Sequence, residues 1–141
     1  WELQYFGGLD SGQTWTNSYL GDGIANGVKY ALYLDPTVPV TADKMPQGVI
    51  SNGSFIISYR QHVGGSGLVG VDYTMDGLVY CVQVTDSVPT GAWVSGANYV
   101  EWTGNRTDNG DGAETVSVRI KQPVSLFPRR FARLTIQRTQ P

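Results

Sequence analysis

Three large aromatic side chains lie within ten positions of one another, at Trp93, Tyr99 and Trp102. Glycine and small polar residues separate them, and glycine adds no packing volume to a strand in a core. Exposed Trp and Tyr rings match the flat C–H faces of sugars, while neighbouring amides and carboxylates bond the hydroxyl groups. The spacing therefore indicates a surface on which a sugar ring can stack.

Alternation along the strand predicts which of these rings face outward. Tyr99 shares one face with Glu101, whereas Trp102 shares the other face with Val100. Because a glutamate is rarely buried without a partner, we expect Tyr99 to point outward. The alternative, that Trp93 and Trp102 are ordinary core or rim residues, stays open. The candidate sugar-binding residues are Trp93, Tyr99, Trp102, Glu101 and Asn98, with Trp15 or Tyr73 as extensions.

The segment 107–114 groups the oxygen ligands that calcium prefers, at Asp108, Asn109, Asp111 and Glu114. The same residue types are what a tight hairpin needs, because Asn-Gly and Asp-Gly pairs adopt its turn conformation. A plain turn is the first interpretation and a calcium site is the second. We expect no required cofactor, and calcium is the one candidate ion.

Side chains suited to catalysis are scarce. Nucleophilic catalysis needs a nucleophile with a base and an orienting group, and glycoside hydrolysis needs two carboxylates across a cleft. The single histidine, His62, stands at the head of a glycine loop and is expected at the surface. Cys81 is the single cysteine, so no internal disulfide can form, and its strand position predicts a small buried thiol. We expect no enzymatic activity.

The composition is that of one turn-rich β domain, with 141 residues, 40% apolar and 16% charged residues, 18 glycines and 7 prolines. A formal charge of −2 gives no general attraction to nucleic acid or to an anionic membrane. Four arginines near the end are interpreted as a solvated face: Arg129, Arg130, Arg133 and Arg138. No segment has the length of a transmembrane span, and no signal peptide indicates a localisation.

One helix is predicted, over 22–36, because apolar residues recur there every four positions. Asp22 is its expected N-cap, and the Asp35–Pro36 pair is expected to end it. Downstream the apolar pattern changes to a period of two, which is typical of half-buried strands. The predicted strands are 53–61, a short one around Tyr73, 78–86, 98–104, 114–120 and 130–138.

Strands at short spacing, with no helices between them, predict an antiparallel sandwich or barrel rather than a βαβ fold. We take the antiparallel β-sandwich with one short N-terminal helix as the fold. The prediction is a single module over 1–141, in which an irregular segment and the helix (1–48) pack on the strands (49–141).

Several short motifs follow one another in an order that resembles a known family. They are WELQYF, DGIANGVKYALYLDPT, SYRQ, LVYCVQVTDS followed by AW, TDNGDGAETVSVRI and RRFARLTI. Together they are similar to accessory modules that lie beside catalytic domains in large secreted bacterial proteins, many of them polysaccharide-degrading. The resemblance covers nearly the whole chain. It implies a non-catalytic, β-rich, extracellular module with a catalytic domain in the same parent chain.

The first motif departs from the pattern of that family. The family has a calcium-type DxDxDG loop before the helix, of which Asp22 and Gly23 match the end. Ser18 and Leu20 stand at positions where the family has acidic ligands, and Lys29 stands where it has Glu. A cation site of the family type is therefore not expected in this loop.

The family pattern also separates the aromatic residues into two groups. Trp93 matches a tryptophan of the family pattern, which implies a structural role, whereas Tyr99, Trp102 and Trp15 lie outside that pattern. Such extra rings are what a specialised binding face would add. We expect non-catalytic binding of a plant cell-wall β-glucan, such as cellulose, that targets an attached glycoside hydrolase. The alternative is a structural spacer or cell-surface attachment module without sugar affinity.

Overall fold

The structure, a computed structural model, describes residues 1–7, 12–88, 91–126 and 129–139. Its strands are β1 (Gln47–Ser51), β2 (Ser54–His62), β3 (Tyr73–Met75), β4 (Leu78–Thr85), β5 (Val100–Asp108), β6 (Ala113–Ile120) and β7 (Phe131–Arg138). Ahead of them lie helices α1 (Glu2–Phe6) and α2 (Asn26–Ala31) and a 3-10 turn (Ala42–Lys44). The fold is mainly β, as predicted.

The strands form two antiparallel sheets. The four-stranded sheet has the order β1-β2-β6-β5, and the three-stranded sheet has the order β3-β4-β7. Residues of both sheets contribute to one hydrophobic core, so the sheets form a sandwich, which is not closed at its edges. The edge strands of the larger sheet are β1 and β5.

Alternation along the strands explains the core. The inward rows are Leu78, Tyr80, Val82 and Val84 on β4 and Val116, Val118 and Ile120 on β6, each at most 1% exposed. Full burial of such side chains contributes about 1.5–3 kcal/mol each. Cys81 alternates with the β4 row and is half-buried rather than buried, because it faces away from the core.

Helix α2 is shorter than the sequence predicts. It begins at Asn26 and not at Asp22, so Asp22 is not its N-cap. The Asp22 carboxylate instead accepts a hydrogen bond from the backbone N–H of Ile24 (3.0 Å) and pairs with the ammonium of Lys29 (2.8 Å). Beyond the helix, Tyr33 has φ +56°, a left-handed conformation. It stops the helix before the Asp35–Pro36 pair, where the sequence predicts its end.

Helix α1 lies in a segment for which the sequence predicts irregular structure. The adjacent Trp1 attaches this segment to the rest of the molecule. Its Nε1 donates to the carbonyl of Leu34 (3.2 Å), and its ring meets the ring of Tyr30 at a centroid distance of 5.5 Å. Among the described residues, no helix has the length and apolar character needed to cross a membrane.

Side chains of the sandwich bind backbone carbonyl groups of α2. The hydroxyl of Tyr80 donates to the carbonyl of Ala31 (2.6 Å). His62 is 1% exposed, and its ring nitrogens lie 2.5 Å from the Asp76 carboxylate and 2.7 Å from the Tyr30 carbonyl. The expectation that His62 is a surface residue is therefore wrong, because α2 covers the end of β2.

Candidate functional site

The three rings of the predicted platform lie in three different environments. Trp102 is on the edge strand β5 and is 39% exposed. Its Nε1 donates to the carbonyl of Asn105 (2.9 Å), and the guanidinium of Arg106 lies 4.8 Å from its ring centroid. Glu101 is exposed and pairs with Arg119 (2.9 Å). These contacts fix Trp102 as a rim residue with an accessible ring.

Trp93 lies beside the other sheet. The adjacent Val94 forms a two-hydrogen-bond bridge with Val84 of β4, with both N···O distances 2.9 Å. The half-buried Trp93 ring has the guanidinium of Arg133 4.0 Å from its centroid, and Arg133 Nε donates to Gln83 Oε1 (2.8 Å). Trp93 and Trp102 therefore lie beside different sheets and not along one strand.

The sequence predicts that Tyr99 points outward, whereas in the structure its side chain packs against the core. Tyr99 is half-buried and lines a small cavity together with Gln122 and Arg130. Strand β5 begins at Val100, so the alternation assumed for this segment does not extend to Tyr99. Asn98 is exposed.

Tyr73 is a core residue, and its assignment as an extension of the platform is wrong. It is 2% exposed, and its hydroxyl donates to the carbonyl of His62 (2.8 Å) while accepting a hydrogen bond from the N–H of Gly65 (2.7 Å). Its ring also meets that of Tyr80 at a centroid distance of 6.0 Å. A buried ring with both hydrogen-bonding functions occupied offers no surface to a ligand.

Trp15, in contrast, lies in a groove of about 340 Å³ between the N-terminal segment, α2 and the end of β7. Its aromatic lining is formed by Trp1, Trp15 and Tyr30. Its polar lining is formed by Gln13, Thr14, Asn26 and Arg138. We call this cavity the aromatic groove.

Asn26 holds the loop that forms one wall of the aromatic groove. Its Nδ2 donates to the carbonyl of Thr14 (3.1 Å) and to Oε1 of Gln13 (3.4 Å), and its Oδ1 accepts from the N–H of Tyr19 (3.3 Å). Its own N–H donates to the carbonyl of Asn17 (2.6 Å). The loop is therefore fixed to the first residue of α2 even though it contains little regular structure.

The rings of the aromatic groove support one another. Tyr30 meets Trp1 at 5.5 Å and Trp15 at 5.9 Å, both in edge-to-face geometry. Gly27 lies directly against the indole of Trp15, where any larger residue would collide with the ring. Burial, and then the nearby carboxylate of Asp76, raise the pKa of the Tyr30 phenol, so this hydroxyl stays protonated and can donate.

Sequence reasoning found only one aromatic residue of this groove. Trp1, Tyr30 and Arg138 are far apart in the chain, and no local period connects them. The usable signal was the number of aromatic residues in 1–21, a segment without the alternation or helical period that would bury them. Aromatic side chains in such a segment pack against one another, as Phe6 and Tyr19 do, or on another part of the molecule, as Trp1 does on Tyr30.

The side chains of the predicted calcium turn have separate partners. Asp108 caps the N–H of Gly110 (2.8 Å), and Asn109 exchanges hydrogen bonds with Thr115 (3.0 and 3.3 Å). These are the contacts of an ordinary hairpin turn.

The other two predicted ligands are held by cationic side chains. Asp111 pairs with Arg60 (2.6 Å), and the buried Glu114 pairs with Arg106 (2.8 Å) and accepts from Gln61 (2.8 Å). Among the described residues, no group of three or more His, Cys, Asp or Glu side chains is arranged to hold a metal ion. A plain turn therefore stays the first interpretation and calcium binding the second.

Comparisons of the chain with models of protein families, with curated proteins and with solved structures found no match. The candidate site therefore rests on its own geometry.

Proposed function

We propose that this chain is a non-catalytic carbohydrate-binding module and that the sugar occupies the aromatic groove. The observation that supports this most directly is the meeting of three rings and four polar side chains in one cavity of about 340 Å³. Sugars present apolar C–H faces beside hydroxyl groups, so a site that combines rings with amide and hydroxyl groups matches both parts of them.

The size of the groove suits a short part of a polysaccharide. Ligand sites in proteins enclose about 300–1,000 Å³, so this groove would take one or two sugar residues of a longer chain. A second groove of about 390 Å³, lined in part by Val38, Pro39 and Val40, is less suitable. Two of its four charged residues, Arg60 and Asp111, already pair with each other at 2.6 Å.

The biological setting of this proposal rests on the resemblance described above. A plant cell-wall β-glucan is the first ligand to test, with an attached glycoside hydrolase in the same parent chain and an extracellular location. In that setting the module brings a catalytic domain to its polymer and carries out no chemistry itself. A spacer or cell-surface attachment module remains the alternative, since such a module also needs only a stable fold.

Affinity electrophoresis in gels that contain soluble β-glucans tests the proposal. Trp1→Ala removes one wall of the groove, and we expect it to reduce retardation by the gel that retards the wild-type chain. Loss of one stacked ring costs about 1 kcal/mol, which is about fivefold in affinity. Trp102→Ala is the matched control, because it removes an exposed tryptophan that lies outside the groove.

Melting temperatures show whether each variant remains folded. If no polysaccharide in a broad panel retards the wild-type chain, the spacer alternative holds. If Trp102→Ala loses retention while Trp1→Ala keeps it, the ligand binds at the edge strand and the groove assignment is wrong.

A further inference from the structure

The charge of the aromatic groove points to a class of sugar, an inference that rests on the function proposed above. Among the described residues that line the groove, Arg138 carries the only charged side chain. The polar groups around it are the neutral amides and hydroxyl of Gln13, Thr14 and Asn26. A chain with a net charge of −2 therefore presents a local positive charge at this groove.

Arg138 differs from most arginines of this chain in its partners. Four others pair with carboxylates: Arg60 with Asp111, Arg106 with Glu114, Arg119 with Glu101 and Arg130 with Asp86. Arg138 forms no ion pair with a carboxylate of the described residues; its guanidinium instead lies 4.8 Å from the ring centroid of Trp15. The carboxylate of Asp76 also lies near Tyr30, but its partner is the ring of His62 and not Arg138.

The position of Arg138 makes its guanidinium available to a ligand. It is the last residue of β7 and pairs in register with the buried Leu78, so its side chain lies at the end of the sandwich where the groove opens. The side chain is exposed, and its guanidinium carbon lies 4.8 Å from the ring centroid of Trp15. The N–H edge of a guanidinium can bind both oxygens of a carboxylate at once, whereas a hydroxyl group offers it a single oxygen.

We propose that the aromatic groove prefers an acidic sugar, a uronic acid residue of a polysaccharide, over a neutral hexose, which makes a β-glucan the weaker of the ligands that the proposed function allows. The carboxylate binds the N–H edge of Arg138, and the sugar ring packs against the aromatic wall that includes Trp1 and Tyr30. Gln13 and Thr14 are placed to bond the hydroxyl groups. An acidic peptide would satisfy the arginine, but it would leave this polar and aromatic lining without a matching partner.

Calorimetric titration with two matched probes tests the proposal. One probe is an oligogalacturonate, and the other is the same oligosaccharide with its carboxylates reduced to alcohols. For the wild-type chain we expect about tenfold tighter binding of the acidic probe, because a charge-assisted bidentate contact replaces a neutral hydrogen bond. Added salt should weaken binding of the acidic probe only.

Arg138→Gln should remove this preference while keeping the affinity for the reduced probe. The matched control is Arg133→Gln, which removes an arginine of the same strand that also lies over a tryptophan, 4.0 Å from the centroid of Trp93. That control should bind both probes as the wild-type chain does. Melting temperatures of both variants confirm that they are folded.

Each other outcome identifies which idea fails. Equal affinity for the two probes, or a preference that survives in Arg138→Gln, overturns the assignment of an acidic sugar but leaves carbohydrate binding intact. Binding of poly-glutamate as tight as that of oligogalacturonate shows a general carboxylate site and also overturns it. If neither these probes nor any neutral glucan binds, the proposed function fails together with this inference.

Discussion

The ammonium of Lys29 lies 2.8 Å from Oδ2 of Asp22, and the lysine side chain has no exposed surface. The other carboxylate oxygen accepts hydrogen bonds from Ser18 Oγ (2.9 Å) and from the N–H of Ile24 (3.0 Å). This one carboxylate therefore joins the loop before α2 to a residue inside that helix.

The pair of a buried Lys29 and an exposed Asp22 predicts an unequal effect of its two single substitutions. Asp22→Asn leaves the ammonium of Lys29 buried without a counter-charge, so we expect the melting temperature to fall by several degrees. Lys29→Met keeps the packing of the chain stem and leaves Asp22 with its two other hydrogen bonds, so the fall should be smaller. Thermal unfolding of both variants and of the double variant measures this. If Lys29→Met is the more harmful change, the pair is not what holds the loop.

The same pair predicts a dependence of stability on pH. The hydrogen bond from Lys29, followed by that from the N–H of Ile24, lowers the pKa of Asp22 from 3.8 to about 2. Because the folded state favours the charged carboxylate, its stabilisation is complete above pH 3.8 and disappears as the pH falls through about 2. Denaturant unfolding between these values should show a steeper loss for the wild-type chain than for Asp22→Asn. Parallel curves would assign the acid sensitivity to other carboxylates.

Gly27 predicts the cost of adding one methyl group next to the aromatic groove. Alanine favours a helix by about 1 kcal/mol relative to glycine, but overpacking costs about 1–3 kcal/mol. Since the indole of Trp15 occupies the place of the new methyl group, we expect Gly27→Ala to lower the free energy of unfolding and to weaken ligand binding. In a Trp15→Ala background the same change should become neutral or stabilising. A cost that persists there would place the collision elsewhere.

Tyr73 predicts a stability effect without a binding effect. Tyr73→Phe removes a hydroxyl that serves the carbonyl of His62 and the N–H of Gly65, and we expect a loss of about 1–3 kcal/mol. The control is Tyr19→Phe, because that tyrosine is 47% exposed. Denaturant unfolding gives the energies, and affinity electrophoresis should show both variants retarded as the wild type is. Loss of retardation in folded Tyr73→Phe would contradict the core assignment.

The hairpin turn predicts no response to calcium. Asp111 and Glu114 are already neutralised by Arg60 and Arg106, so a cation would have to displace these partners. We expect the same melting temperature with excess calcium and with a chelator, since an ion that bound only the folded state would raise it. A rise with calcium that is lost in Asp111→Asn would instead support a metal site at this turn.

The strands could be predicted because their signal is local. β2, β4, β6 and β7 agree with the predicted 53–61, 78–86, 114–120 and 130–138 to within one residue at each end. In each of them one face is more buried than the other, so the apolar side chains recur every two residues. β1 was not predicted because all five of its residues are exposed, and an edge strand of that kind carries no burial pattern.

The site could not be predicted in the same way, because exposure depends on what packs over a residue. The sequence around His62 and Tyr73 does not indicate that they are buried. His62 is covered by α2, which is separated from it in the chain by the whole of β1. Trp1, Tyr30 and Arg138 have no spacing that would group them, and only the docking of the N-terminal segment against the end of β7 brings them to one groove.

By itself, the sequence determined the mainly β class, most strand boundaries and the abundance of aromatic side chains. The tertiary structure decided where those rings lie. Between Val94 and Val100 the chain passes from one sheet to the other, since Val94 bridges Val84 while Val100 pairs with Ile120. That crossing separates Trp93 from Trp102, because alternation assigns a side chain to a face of its own strand and contains no information on which sheet the strand joins.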